Sequence, residues 1–377
     1  LPLTQSQGLA MTYARGLIRV LKIKAQVRLK NMSKLMKIQN AKQLVKKWRQ
    51  ELFTTNADLH TVMAKYWSAD AIFKIAYPFD DQDRDGATQN YDQPLFDSFS
   101  DMACRDDIMV TGEYEGAIWV GITGHYEMSF CQSWLGIPPT YKRATLRFGE
   151  VYRVDDSGLS EAQILIDIPM LMAQAGVNPL PASLGSDLPV PSPATQDGML
   201  HNAQTEDAAK TTLTLVDDML TGLGEFDGKT LESMAIERYW HPNMNWYGPS
   251  GIGTTRGIAG FQQGHQYDFV MAFPDRAVVS DVRFAEGNYA VSSGMPSMRG
   301  THTGGTWLGL PATDKEVTMK VMDWWRRDGD LLVENWVLID ILDIYRQLAS
   351  MCWRVCESCK RVVRLHLEIL YPKKVIY

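Results

Sequence analysis

Two short stretches each set one carboxylate at the end of an apolar run: Leu165-Ile166-Asp167-Ile168 and Leu338-Ile339-Asp340-Ile341. Burying such a charge without a partner is costly, so each group is either partnered or put to use. Put to use, it is an acid/base. An apolar pocket raises a carboxylate's pKa toward neutrality, where it can take up and release a proton. Strand alternation places Glu334, Trp336, Leu338 and Asp340 on one face and Val333, Asn335, Val337 and Ile339 on the other. The earlier stretch offers Glu161, Gln163, Leu165 and Asp167 on the corresponding face.

The two stretches belong to an internal repeat. Ser133-Trp134-Leu135-Gly136-Ile137-Pro138 lines up with Thr306-Trp307-Leu308-Gly309-Leu310-Pro311 at an offset of 173 residues. Tyr66-Trp67 against Tyr239-Trp240, Lys142 against Lys315, Arg153 against Arg326 and Gln174 against Gln347 keep it. Two copies of one domain are therefore expected, at 43–177 and 201–349, each of ordinary domain size. A Pro-rich linker at 178–200 joins them, with a basic tail at 1–42 and a basic, Cys-containing tail at 350–377. A linker that short implies copies packed directly on one another.

The elements that must position the carboxylates read most clearly in the second copy. Leu213, Val216 and Leu220 mark a helical stripe over 206–221, and Leu231, Met234 and Ala235 continue helical spacing over 229–240. A third helix is expected over 258–273, then strands over 276–284, 288–297, 316–327 and 331–340, with hairpin turns between them. Helices followed by a strand meander imply α+β packing, with the helices against a strongly curved, mainly antiparallel sheet.

Gly300-Thr301-His302-Thr303-Gly304, Trp307-Leu308-Gly309-Leu310-Pro311-Ala312-Thr313, Asp328-Gly329 and Val333-Glu334-Asn335-Trp336, in this order, resemble the SnoaL-like polyketide cyclases of the nuclear-transport-factor-2-like superfamily. Tyr239-Trp240-His241-Pro242 and Trp246-Tyr247-Gly248-Pro249 add to the likeness, which points to a tandem two-domain member. The resemblance implies two cone-shaped α+β barrels with an apolar pocket at the open end. It also implies cofactor-independent ring closure of a polyketide by intramolecular aldol condensation, with no metal and no organic cofactor. By position, the acid/base from the last strand is Asp340, with Asp167 as its counterpart. His302 could orient substrate or shuttle a proton, a hydrogen-bonded loop histidine being the plainer alternative. Trp246, Tyr247, Trp324 and Trp336, with Glu334, Gln163 and His265, are candidates for the substrate pocket. Core packing alone accounts for most aromatics on such strands, so about two of Trp246, Tyr247, Trp324, Trp325 and Trp336 are expected at a pocket. The other readings of the same fold are a small-molecule binding or assembly module, or a related isomerase, dehydratase or hydrolase.

Charge distribution excludes some partners. Residues 1–50 carry twelve Lys or Arg and no acid, while the body between the two ends is strongly acidic and would repel a phosphate backbone. The expected partner is a small hydrophobic carbonyl compound, with the two domains paired within the chain or in a homo-oligomer. Five cysteines make no disulfide framework and fit a reducing, cytoplasmic location. No apolar run is long enough to span a membrane. Residues 13–49 are basic and roughly amphipathic, as a presequence or a membrane-surface helix would be; Met32-Ser33-Lys34 reads alternatively as a start preceded by upstream sequence. Cys352, Cys356 and Cys359 have cluster-ligand spacing, with His366 nearby, but follow the last domain and do not open one. Gly251 to Gly257 lacks the third glycine of a dinucleotide fingerprint, and Asp80 to Asp85 lacks the final Glu of a calcium loop.

Overall fold

The computed structural model describes residues 32, 34–54, 58–177, 180–187, 190–201 and 204–349. Cys352, Cys356, Cys359, His366 and most of the basic N-terminal stretch lie outside these. In chain order the first unit comprises α1 (34–52), α2 (Leu59–Tyr66), β1 (Trp67–Ile75), β2 (Asp81–Asp83), α3 (Arg84–Ala87), a π turn (Thr88–Asp92), α4 (Gln93–Ser98), β3 (Phe99–Tyr114), β4 (Ala117–Phe130), β5 (Arg143–Asp155), β6 (Gly158–Ile166) and α5 (Ile168–Gln174). The second comprises α6 (Glu206–Leu223), β7 (Trp240–Tyr247), β8 (Thr254–Arg256), α7 (Gly257–Phe261), a π turn (Gln262–Gln266), α8 (Tyr267–Ala272), β9 (Ala277–Val278), β10 (Val282–Glu286), β11 (Tyr289–Thr301), β12 (Thr306–Trp307), β13 (Leu310–Pro311), β14 (Glu316–Asp328), β15 (Leu331–Ile339) and α9 (Ile341–Ala349).

Each unit is α+β. The sheets run β2-β1-β6-β5-β4-β3 and β10-β11-β14-β15-β7-β8, with β9 added on β11. All pairs are antiparallel except β1 with β6 and β7 with β15. Both orders are open paths, so neither sheet closes into the expected barrel. The repeated Trp-Leu-Gly segment is a tight hairpin in each unit: Trp134 bridges Ile137 and Trp307 pairs with Leu310. Both central residues take positive φ, at Leu135 and Gly136 (52° and 76°) and at Leu308 and Gly309 (48° and 77°), which is why glycine recurs there.

Three segments differ from expectation. The N-terminal tail was expected to reach residue 42, yet α1 begins at 34, because Ala41, Val45, Trp48 and Leu52 form a buried stripe at helical spacing. Lys42 is buried with them, paired to Glu286 of the second unit at 2.6 Å. Over 229–240 there is no continuous helix. Ala235 adopts φ 46° and splits the stretch into 3-10 turns at Leu231–Met234 and Ile236–Arg238, which bury Met234 and Ile236 on either side of the break. The segment after residue 178 is packed, touching both units: Ser186 bridges Thr254, Ser192 Oγ donates to Asp107, and the Trp336 indole donates to Pro191 O at 2.9 Å.

The two sheets pack outer face to outer face. Trp324, Trp336 and Leu338 of the second unit join the same buried cluster as Phe148, Val151 and Leu165 of the first. At Gly149 the approach is so close that a β-carbon would stand 2.8 Å from the Trp324 ring. The concave faces look the other way, each toward its own helices.

Candidate active site

A cavity of about 310 Å³ opens between the helices and the concave face of the second sheet. That is the lower end of the range in which small molecules are held. Its walls are largely apolar: Met219 and Leu223 of α6, Phe261 and Phe269 of the α7–α8 run, Trp246 of β7, and Met319 and Val321 of β14. On β14 alternation brings Met319, Val321, Asp323 and Trp325 to this face; on β15 it brings Asn335, Val337 and Ile339.

Asp323 is the acid in this setting. Its carboxyl accepts one hydrogen bond, from Asn335 Nδ2 at 3.1 Å, and the Asn335 amide is held in turn by Trp324 O at 3.2 Å. Burial is the main cause lifting its pKa from the ordinary carboxylate range to about 7; the nearby Asp281 carboxylate pushes the same way, while Asn335 and Arg283 oppose. Ser292 lies across the β11–β14 pair from Asp323 and also lines the cavity. Asp281 and Arg283 line it as well, paired at 3.1 Å, and Arg283 reaches outward to the half-exposed Asp217 at 2.7 Å.

His265 completes the opposite wall. Its ring stacks on Trp246 at 4.3 Å with planes 13° apart, and on Phe269 at 5.4 Å. Burial pulls its pKa down to about 3, so the imidazole is neutral at physiological pH, and its Nδ1 is buried without a protein partner. The Trp325 Nε1 and Gln266 Oε1 atoms at this cavity are also buried and unpartnered. A ligand with a carbonyl or hydroxyl edge would satisfy such atoms.

Of the residues expected at a pocket, the structure brings Trp246 and His265 together there. Trp246 and Trp325 are the two aromatics of the five that line it. The rest are elsewhere. Tyr247 and Arg326 clasp Glu334 at 3.0 and 2.5 Å on the buried inter-unit face. Gln163 accepts from Ser293 Oγ at 2.6 Å across the same interface, and Trp324 and Trp336 pack within it. The face carrying Glu334, Trp336, Leu338 and Asp340 is thus the interface face, and the alternate face of β15 meets the cavity.

Asp340 and Asp167 do not line the cavity. Each caps the following helix, accepting from Asp343 N at 3.2 Å and from Met170 N at 3.1 Å. Each also accepts a backbone N–H from the other unit, Tyr77 N at 2.7 Å for Asp340 and Ser250 N at 2.9 Å for Asp167. Lys320 stands 3.6 Å from Asp340, and burial still raises that carboxyl to about 6. His302 is likewise away from the cavity, fully buried, stacked on Phe273 at 5.2 Å and 3.5 Å from Thr313 Oγ1. Burial lowers its pKa. Its Nε2 is buried without a partner among the described residues.

Asp323 was legible in principle. It is the charge in the otherwise apolar alternation Met319, Val321, Asp323, Trp325, in mid-strand, and not at a strand end.

In the first unit the equivalent space is filled. At the repeat offset Glu150 stands where Asp323 does, and only about 20 Å³ remains beside it. Arg49 from α1 pairs with Glu150, with Tyr126 and Tyr152 donating to the same carboxylate. Arg49 also holds Asp106 at 2.7 Å and lies over the Phe148 ring at 5.0 Å. Matching the buried stripes of α1 and α6 (Ala41, Val45 and Trp48 against Thr212, Val216 and Met219) puts Leu220 in the place of Arg49. Leu220 lines the open cavity.

Among the described residues no group of three or more His, Cys, Asp or Glu is arranged to hold a metal ion, and no helix is long and apolar enough to cross a membrane.

Residues 227–348 match the family model described as SnoaL-like polyketide cyclase. Similar solved structures include a protein from Jannaschia sp. CCS1 described as a candidate SnoaL-like polyketide cyclase, at 16% identity over 40% of this chain and 99% of that one, with a TM-score of 0.32. An NTF2-like protein from Burkholderia xenovorans LB400 is 15% identical over 37% of this chain and 97% of its own, with a TM-score of 0.29. AclR from Streptomyces galilaeus, described as a candidate hydroxylase, is 17% identical over 39% and 89%, with a TM-score of 0.30. No curated protein sequence matches the chain. The match over residues 227–348, most of the second unit, makes that region similar to the SnoaL-like polyketide cyclases.

Proposed function

We propose that the second unit is an acid/base enzyme acting on an apolar, multi-ring or ring-forming carbonyl compound of the polyketide type, with Asp323 as the group that moves the proton. The observation that carries this reading is a half-buried carboxyl, held near neutral pKa by its apolar surroundings, on the wall of a cavity of small-molecule size. Ionised Asp323 would take a proton from a carbon next to a carbonyl. The protonated carboxyl could then return its proton to the alkoxide formed on ring closure, so that no net proton is consumed. Asn335 keeps the acid oriented between the two steps. The family match supports a polyketide-like substrate.

The first unit, with Arg49 in its cavity, is read as a scaffold and a copy of the second that has lost its open site. The unpaired Cys104 and Cys131 fit a reducing, cytoplasmic setting. Substrate turnover by wild type and Asp323→Asn, followed by mass spectrometry of products, tests the proposal. Loss of product formation with ligand binding retained supports it; undiminished turnover refutes it, and tight ligand capture with no product from wild type points to a binding module instead.

A further inference from the structure

Arg276 lies on the cavity wall, just before β9. Its Nη2 donates to Leu223 O at 3.0 Å, at the C-terminal end of α6, and reaches Met234 Sδ at 3.8 Å; its guanidinium sits 5.3 Å over the Phe226 ring. Among the described residues no carboxylate is paired with it. Arg283, the other arginine of the cavity, is instead neutralised by both Asp217 and Asp281. A half-buried guanidinium that uses one donor on Leu223 O keeps the rest of its donors for a group entering the cavity. Burial does hold it below the ordinary arginine range.

We propose that Arg276 is the recognition site for an anionic group of the substrate, a carboxylate, carried at a distance from the reacting carbon. The placement supports the distance. β9 follows Arg276 directly and pairs with β11 at Met298 and Arg299, whereas Asp323 pairs with β11 at Ser292, beyond the irregularity between Gly294 and Met298. Asp323 and Arg276 therefore belong to different ends of the cavity. A substrate spanning them is elongated and acidic at one end. A planar guanidinium engages a carboxylate in two parallel charge-assisted bonds, which an ester cannot match.

This inference rests on the proposed cavity as the substrate site, and its test separates the two. Isothermal titration compares anthraquinone carboxylate with its methyl ester on wild type, Arg276→Met and Arg276→Lys. The expected result is that wild type binds the carboxylate about ten-fold more tightly or better. Arg276→Met should bring the two ligands to within about two-fold, leaving ester affinity unchanged, and Arg276→Lys should keep part of the preference. Equal affinity of wild type for acid and ester overturns the anionic subsite while leaving the cavity reading intact, as does a preference undiminished in Arg276→Met. Binding of neither ligand by wild type overturns both. The wild-type comparison stands even where a variant folds poorly.

Discussion

Asp340 Oδ2 accepts the backbone N–H of Tyr77 at 2.7 Å across the boundary between units, and Asp167 does the same for Ser250 at 2.9 Å, one repeat offset away on both sides. Around them the exchange is repeated. Arg147 donates to Gly248 O at 3.0 Å and Lys320 to Ile75 O at 3.3 Å, again related by the same offset. The two strand-ending carboxylates cap helices and clasp the sheets.

Asp340→Ala should therefore act on stability. Losing the cap and stranding the Tyr77 N–H costs about 1–3 kcal/mol, read from urea unfolding. Turnover per folded molecule should stay within about two-fold of wild type, since Asp340 does not line the cavity. A collapse of kcat in well-folded protein would return the catalytic role to Asp340.

Asp323→Asn should reduce kcat by about a hundred-fold or more, as expected when a general base is removed. In wild type kcat should rise with pH through about 7, where this carboxyl ionises. Stability runs in the opposite sense. Because the folded-state pKa lies above the unfolded one, the native state holds the extra proton between roughly pH 4 and 7, and stability falls as pH rises through that window. Asp323→Asn should thus match wild type below about pH 4 and exceed its stability at about pH 8, by up to about 4 kcal/mol. Thermal melts at the two pH values decide this.

Arg49→Leu should be severely destabilising, by about 3–5 kcal/mol, because Glu150 would be left buried and charged with no cation. The double substitution Arg49→Leu with Glu150→Leu should recover most of that loss. Equilibrium unfolding of the single and double variants forms the cycle, and an additive result would show that the pair is not coupled.

His265 should show no titration by NMR between about pH 5 and about pH 8, since its pKa lies far below that of a free imidazole. His265→Phe keeps the stack on Trp246 and should leave the pH profile of turnover in place while changing KM. A shifted profile would mean that the imidazole exchanges protons during the reaction.

Much of the architecture was readable from residue order. The 173-residue offset, the helical stripe over 206–221 and the strand meander of the second unit follow from local rules of repeat and period. So did the grouping of Glu334, Trp336, Leu338 and Asp340 on one face. Which face meets the cavity was a different matter. Alternation states which side chains share a side, but both sides of β14 and β15 are apolar here, because one is covered by helices and the other by the second sheet. Only the packing of the two sheets, with Gly149 admitting the Trp324 ring, turned Asp340 toward Tyr77 and left Asp323 facing the hollow. The same holds for the closed first unit: nothing local to Arg49 announces that it will cross from α1 to Glu150, since an ion pair between residues 101 positions apart exists only once the helix is laid on the sheet.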